Sequence, residues 1–216
     1  FLVHQWLFTP EFKGAVGSRK ESLVDTIGDP DSIMEKGRML ISKLPDWMQP
    51  KCFDIKKHLG FMKFINPENG SVITGEAGDN IGRGGRNSLY FLDEAAFIER
   101  ADRVEAALSQ NTDCVIWAST VNGIGNTFYK KRFGGTINVF VFDWRDDPRK
   151  TQEWYETQKA RFKHNPALLA AEVDRDYTAS VEGIIIPGKW VQAAIDSHIK
   201  LGFEPEGLCY AAADIA

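Results

Sequence analysis

The chain has 216 residues, 43% hydrophobic and 26% charged, with 19 glycines and 9 prolines. That composition excludes disorder, collagen and coiled coil, and a chain this long buries roughly 70% of its unfolded surface without disulfides or metals. Lys plus Arg is 26 against 30 for Asp plus Glu, a net charge of −4. A uniformly basic nucleic-acid coat is therefore excluded, whereas a local basic patch is not. Cys52, Cys114 and Cys209 are widely spaced with no CxxC pair, which builds neither a disulfide framework nor a zinc site and suits a reducing compartment. No apolar run approaches the ~18 residues that span a bilayer. The opening FLVHQWLF lacks the basic region and cleavage site of a signal peptide. The expected setting is cytoplasmic, with no membrane.

In chain order, residues 1–8 read as the tail of an apolar helix stopped by Thr9-Pro10, and KGAVGS (13–18) as a short strand. RKESLVDTIG is expected to be helical. A second helix is expected from Asp31, behind Pro30, to Leu44, where Pro45 ends it. Residues 58–78 carry a hairpin signature, FMKFI and SVITGE around a Pro-Glu-Asn-Gly turn. GDNIGRGGRNS (78–88) is too rich in glycine for regular structure. SLYFLDE (88–94) and DCVIWAST (113–120) are near-continuous apolar runs, as in central strands of a parallel sheet, with ADRVEAALSQ (101–110) as the amphipathic crossover helix between them. TINVFVFDW (136–144) reads as a further strand. From Asp146 to His164 a strongly charged helix is expected, with Trp154 and Tyr155 on one side. Further helices are expected at 166–173 and 189–197, and 207–216 returns to strand character. The whole is an α/β sheet to about 144, a helical connector to about 203, and the opening strand of another sheet.

The strongest chemical signal is LYFLDEAAF (89–97). Two acids sit at the end of an apolar strand, at the edge where open α/β sheets bind their ligands. In P-loop ATPases this is the Walker B arrangement: the Asp holds Mg²⁺ and the Glu polarises the attacking water. One carboxylate suffices, because Mg²⁺ keeps several waters. The plainer reading is a solvated acidic pair favoured by the dipole of a following helix. A second strand ends in Ser119-Thr120, followed by VNGIGN, in the place where motor ATPases of this class sense the γ-phosphate; a simple Asn-Gly turn is the alternative. In GRGGR (82–86), Arg83 and Arg86 ride on a flexible backbone. They read as an arginine finger for a neighbouring subunit, a DNA phosphate contact, or a solvated loop. YKKRF (129–133) is a small basic cluster, either a solvated helix face or a DNA contact. No GxxxxGK[ST] loop occurs in the chain.

With these motifs in this order, the chain resembles the large terminase subunit of tailed bacteriophages, a motor-nuclease that packages DNA. LYFLDEAAF resembles that family's Walker B region and STVNGIGNTFYK (119–130) its coupling motif. WRDDPRKTQEWYETQ (144–158) and AAEVDRDYTASVEG (170–183) resemble the stretch that joins motor to nuclease. The resemblance implies a P-loop NTPase sheet of the ASCE type, mostly parallel with helices on both faces. It implies an ATPase core at 1–144 whose P-loop lies before Phe1, a helical linker at 145–203, and the start of an RNase H-like nuclease at 204–216. It assigns Asp93 to Mg²⁺, Glu94 to general-base catalysis, Ser119 or Thr120 to phosphate sensing, Asn122 to coupling, and Arg83 or Arg86 to the finger. Asp214 matches the first metal-binding acid of the nuclease. The implied ligands are ATP, Mg²⁺ and a divalent metal at the nuclease site. The implied partners are double-stranded DNA, a portal protein, a small terminase subunit and further copies in a ring, in the host bacterial cytoplasm and transiently on the prohead. Residues 1–216 alone are expected to hydrolyse ATP weakly or not at all. A helicase-like or transposition ATPase, or a non-enzymatic α/β binding module, would share parts of this pattern.

Overall fold

The computed structural model describes residues 1–179 together with 194, 195, 197, 201 and 202. The expected helix at 189–197 falls mostly outside the described residues. The strand at 207–216, the nuclease start at 204–216 and Asp214 fall wholly outside them.

The chain enters through α1 (Leu2–Phe8) and β1 (Lys13–Ser18). Next come the short α2 (Glu21–Val24), α3 (Ile33–Ser42) and α4 (Ile55–His58). Strands β2 (Leu59–Gly60), β3 (Lys63–Ile65), β4 (Val72–Ala77) and β5 (Leu89–Leu92) follow. After α5 (Ala101–Asn111) come β6 (Val115–Trp117), α6 (Thr127–Phe133), α7 (Gln152–Arg161) and α8 (Pro166–Leu169). The strands form one sheet in the order β2-β3-β4-β1-β5-β6. The pairs β4–β1, β1–β5 and β5–β6 are parallel, and β2–β3–β4 is antiparallel. The expected mixed, largely parallel α/β sheet is thus what the chain forms.

Side chains of β1 and β5 alternate between two cores, as the period of a strand buried on both faces requires. Val16 and Leu89 join Trp6, Val24, Met34, Ile41, Phe64 and Ile73 beneath α1 and α3. Ala15, Tyr90 and Leu92 join Val104 and Leu108 of α5 on the other face. The expected hairpin of β3 and β4 turns through Pro-Glu-Asn-Gly, and an Asx-type turn at Asn66, whose side-chain oxygen accepts from the backbone N–H groups of Glu68 and Asn69, closes it.

Four expectations fail for physical reasons. The helix over 19–28 is only α2, because Asp25 is drawn into extended backbone by a buried bidentate pair with Arg38 (2.6 and 2.7 Å) and by the Met62 amide (2.5 Å). Hydrogen bonding to Asp25 raises the Arg38 pKa above its ordinary value. The run at 113–120 is an edge strand among the described residues, not a central one, and Ile116 is 40% exposed. Residues 136–142 pair with no strand among the described residues, and Phe140 is 86% exposed. The charged helix begins only at Gln152, beyond Pro148, capped by the Thr151 side chain. Trp144 packs on Tyr155 and Trp154, with ring centroids 5.1 and 5.8 Å apart, and so ties that helix to the preceding chain. Among the described residues no helix is long and apolar enough to cross a membrane.

Candidate functional site

The parallel strands β4, β1, β5 and β6 all end on one edge of the sheet, and the chain segments that follow them meet there. Asp93 follows β5 directly, and its N–H donates to the carbonyl of Gly17 in β1 (2.8 Å). Glu94 takes left-handed backbone (φ 51°, ψ 38°), which costs a residue with a Cβ about 1–2 kcal/mol. That twist turns the carboxylate toward the end of β1, where it accepts from Nε of Arg19 at 2.5 Å. The guanidinium also lies 5.6 Å from the centre of the Phe97 ring. Both partners are about two-fifths exposed, so the pair orients Glu94 more than it stabilises the fold.

The turn after Glu94 is fastened to the segment after β6. Ala95 N–H donates to the Ala118 carbonyl (3.0 Å), Ala96 N–H to Oγ of Ser119 (3.1 Å), and Nδ2 of Asn122 to the Ala96 carbonyl (2.9 Å). Ser119 and Asn122 are therefore struts between the two strand ends, and the exposed Thr120 is left as the hydroxyl of this segment facing outward. Asn126 caps α6 through the Tyr129 amide (2.8 Å) and donates to the Asn122 carbonyl (2.7 Å), so any shift of this segment is passed to α6.

Between the outer edge of β6 and residues 136–142 runs a groove of about 870 Å³, lined by Cys114, Ile116 and Ala118 on one side and Ile137, Phe140 and Phe142 on the other. Thr120 also lines it. The groove therefore begins beside the Asp93–Glu94 turn and follows a strand edge to which no other described strand is paired.

The structure brings Asp93, Glu94, Ser119 and Asn122 together. Arg83 and Arg86 are elsewhere, on an exposed loop that runs along α5. Arg83 lines a shallow hollow with Arg100, Arg103 and Asp79. In YKKRF, Lys131 is spent on Glu105 (2.5 Å) and the Trp117 ring, and Arg132 lies against the Phe133 and Tyr177 rings. That cluster chiefly cements α6 to its neighbours. Sequence reading did not single out Arg19; its position one residue past the end of β1 was the available signal.

A divalent cation would find one carboxylate here. Asp93 is half-buried at the strand end and makes no side-chain hydrogen bond or ion pair among the described residues. No cluster of three or more metal-ligating side chains occurs among them. A single carboxylate with no protein partner among the described residues fits Mg²⁺, which keeps several of its waters, and does not fit zinc.

No family model matches the sequence, and no curated protein matches it either. Solved structures do. The ATPase domain of the large terminase of Thermus phage P74-26 aligns with a TM-score of 0.56 and 14% identity, over 81% of this chain and 80% of that one. The fold is that of a phage large-terminase ATPase domain. A mutant of the same domain gives the same TM-score at 15% identity. The large terminase of another thermophilic bacteriophage aligns with a TM-score of 0.53 and 10% identity, over 79% of this chain; the chain spans 41% of that protein's length. That second terminase has also been solved in complex with ADP. At these identities the likeness is one of fold, and the roles of individual residues rest on the geometry above.

Proposed function

We propose that this chain forms most of the ATP-hydrolysing motor of a large-terminase-type enzyme that drives double-stranded DNA into viral proheads. The observation that carries the reading is the Asp93–Glu94 pair at the ends of the parallel strands, strutted by Ser119 and Asn122, in a fold shared with terminase ATPase domains. Asp93 would hold Mg²⁺. The bound ion would neutralise charge on the nucleotide phosphates. Glu94 accepts the proton of the attacking water once it leaves Arg19. Thr120 reports the state of the nucleotide, and the Asn122–Asn126 hydrogen bond passes that report to α6. Arg83 or Arg86 reaches out from the α5 side to complete the site of a neighbouring copy in a homo-oligomeric ring.

The phosphate-cradling loop belongs, in this reading, to a strand upstream of Phe1 that pairs with β6 in the groove. The edge of β6, unpaired among the described residues, and Ile137, Phe140 and Phe142 opposite it support that placement. Downstream, Asp214 opens an RNase H-like nuclease, residues 145–203 belong to the linker, and a portal and a small subunit are the partners. The work is done in the host cytoplasm and on the prohead.

Steady-state ATP hydrolysis by the complete polypeptide tests the assignment. Glu94→Gln should lower kcat by about 10²–10⁴-fold, the usual worth of a general base, with ATP still bound. Asp93→Asn should weaken Mg²⁺-dependent ATP binding. Turnover by Glu94→Gln equal to that of the parent would refute the reading.

A further inference from the structure

Glu76, near the end of β4, is only 9% exposed, and three donors converge on it. Its Oε2 accepts from Gly82 N–H (2.6 Å) and from the Tyr90 hydroxyl (2.8 Å), and its Oε1 from Gly84 N–H (3.1 Å). Burying a carboxylate costs several kcal/mol unless its hydrogen bonds are made. Loop amides usually take theirs from water. Here the two amides that flank Arg83 are both committed to one buried side chain.

The rest of the loop is built to the same end. Gly82 has φ +77°, and its carbonyl accepts from the Asn111 side chain. A Cβ on Gly84 would overlap Oε1 of Glu76, so only glycine lets the carboxylate approach. Arg83 itself donates its N–H to the Asn80 carbonyl (3.1 Å), while its side chain is exposed. Arg86 is held more loosely: the Gly85 carbonyl before it accepts only from the Asn87 side chain (3.2 Å), the Asn87 N–H after it donates to the Asn111 carbonyl (2.9 Å), and no buried side chain among the described residues binds the backbone on both sides of it. Burial, and next the neighbouring Glu76, raise the Tyr90 pKa, so the phenol stays a donor.

We propose that Glu76 is a positioning residue that fixes the backbone on both sides of Arg83, making Arg83 rather than Arg86 the arginine that completes a neighbouring subunit's ATP site. The proposal rests on the motor reading above. Glu76 touches no substrate and acts through Arg83. Glutamine in its place keeps the shape but faces one of the three donors with an N–H₂ group, so the frame loosens.

The test is ATP turnover by the complete polypeptide, alone and in subunit mixtures. An arginine finger supplies about 10³–10⁵ in rate, and a displacement of about 1 Å can cost about 100-fold. Glu76→Gln should therefore lower kcat by about 100-fold with KM for ATP unchanged. Tyr90→Phe, which removes one donor, should show a smaller loss of the same kind. Arg83→Ala should lose turnover and Arg86→Ala should keep it. Mixing Glu76→Gln with Glu94→Gln subunits should restore turnover, because one carries an intact Glu94 and the other an intact finger. A merely structural defect would not be restored. Parental kcat in Glu76→Gln overturns the proposal. So does a loss that mixing fails to restore while Arg83→Ala is restored, and so does parental turnover in Arg83→Ala. The motor reading fails separately, if Glu94→Gln is as active as the parent.

Discussion

The two flanks of the sheet are finished differently. On one, β4 is covered by the antiparallel β3 and β2, Phe64 is 1% exposed, and Arg38 locks Asp25, Glu35 and the Leu59 and Gly60 carbonyls together. On the other, β6 ends the sheet among the described residues with an exposed Ile116, and Ile137, Phe140 and Phe142 stand across a groove from it. The closed flank spends its polar groups on stability, including a buried charge with all its partners. The open flank keeps strand edge and apolar side chains available, and it adjoins the Asp93–Glu94 turn. A fold that held together by one flank and worked by the other would look like this.

Four substitutions break or sharpen that contrast. Arg38→Ala strips the charged partner from a fully buried Asp25 side chain and should cost about 3–5 kcal/mol, read as a lower midpoint in denaturant unfolding of residues 1–216. Trp144→Ala removes the ring that Tyr155 and Trp154 pack on. The expected cost is about 3 kcal/mol, seen as greater proteolysis between Asp146 and Arg161. Arg19→Ala frees Glu94 where the flanks meet. An ion pair this exposed is worth about 1 kcal/mol at most, so basal ATP turnover of the complete polypeptide should rise by no more than about fivefold. Phe140→Asp should leave the stability of residues 1–216 within about 0.5 kcal/mol, as at any exposed position. The same change should destabilise a polypeptide that includes the proposed upstream strand by more, because that strand would fill the groove. Equal effects in both would remove the contrast between the flanks.

Much of the fold was legible because it rests on local signals. The apolar run of β5 reflects burial on both faces, and the Pro-Glu-Asn-Gly turn announces itself by residue type, with Gly70 at φ +75°. The acid pair was legible because its strand is short and its neighbours in sequence are its neighbours in space. Segment 136–144 alternates as a strand does, but a strand also needs a partner, and periodicity does not supply one. The shortening of α2 depends on Arg38 reaching back 13 residues to Asp25. The Arg19–Glu94 contact spans 75 residues, beyond any spacing rule. Glu76 is the one charged residue in the strand VITGEA; an acid in a buried strand was a signal in itself, though its three donors emerge only when the loop folds back on it.

The most direct measurement is ATP turnover by residues 1–216 set beside that of the same chain extended upstream through the proposed phosphate-binding strand. The account predicts weak or no hydrolysis by the first and Mg²⁺-dependent hydrolysis by the second. Robust turnover by residues 1–216 alone, or none by the extended chain under any condition, would contradict it.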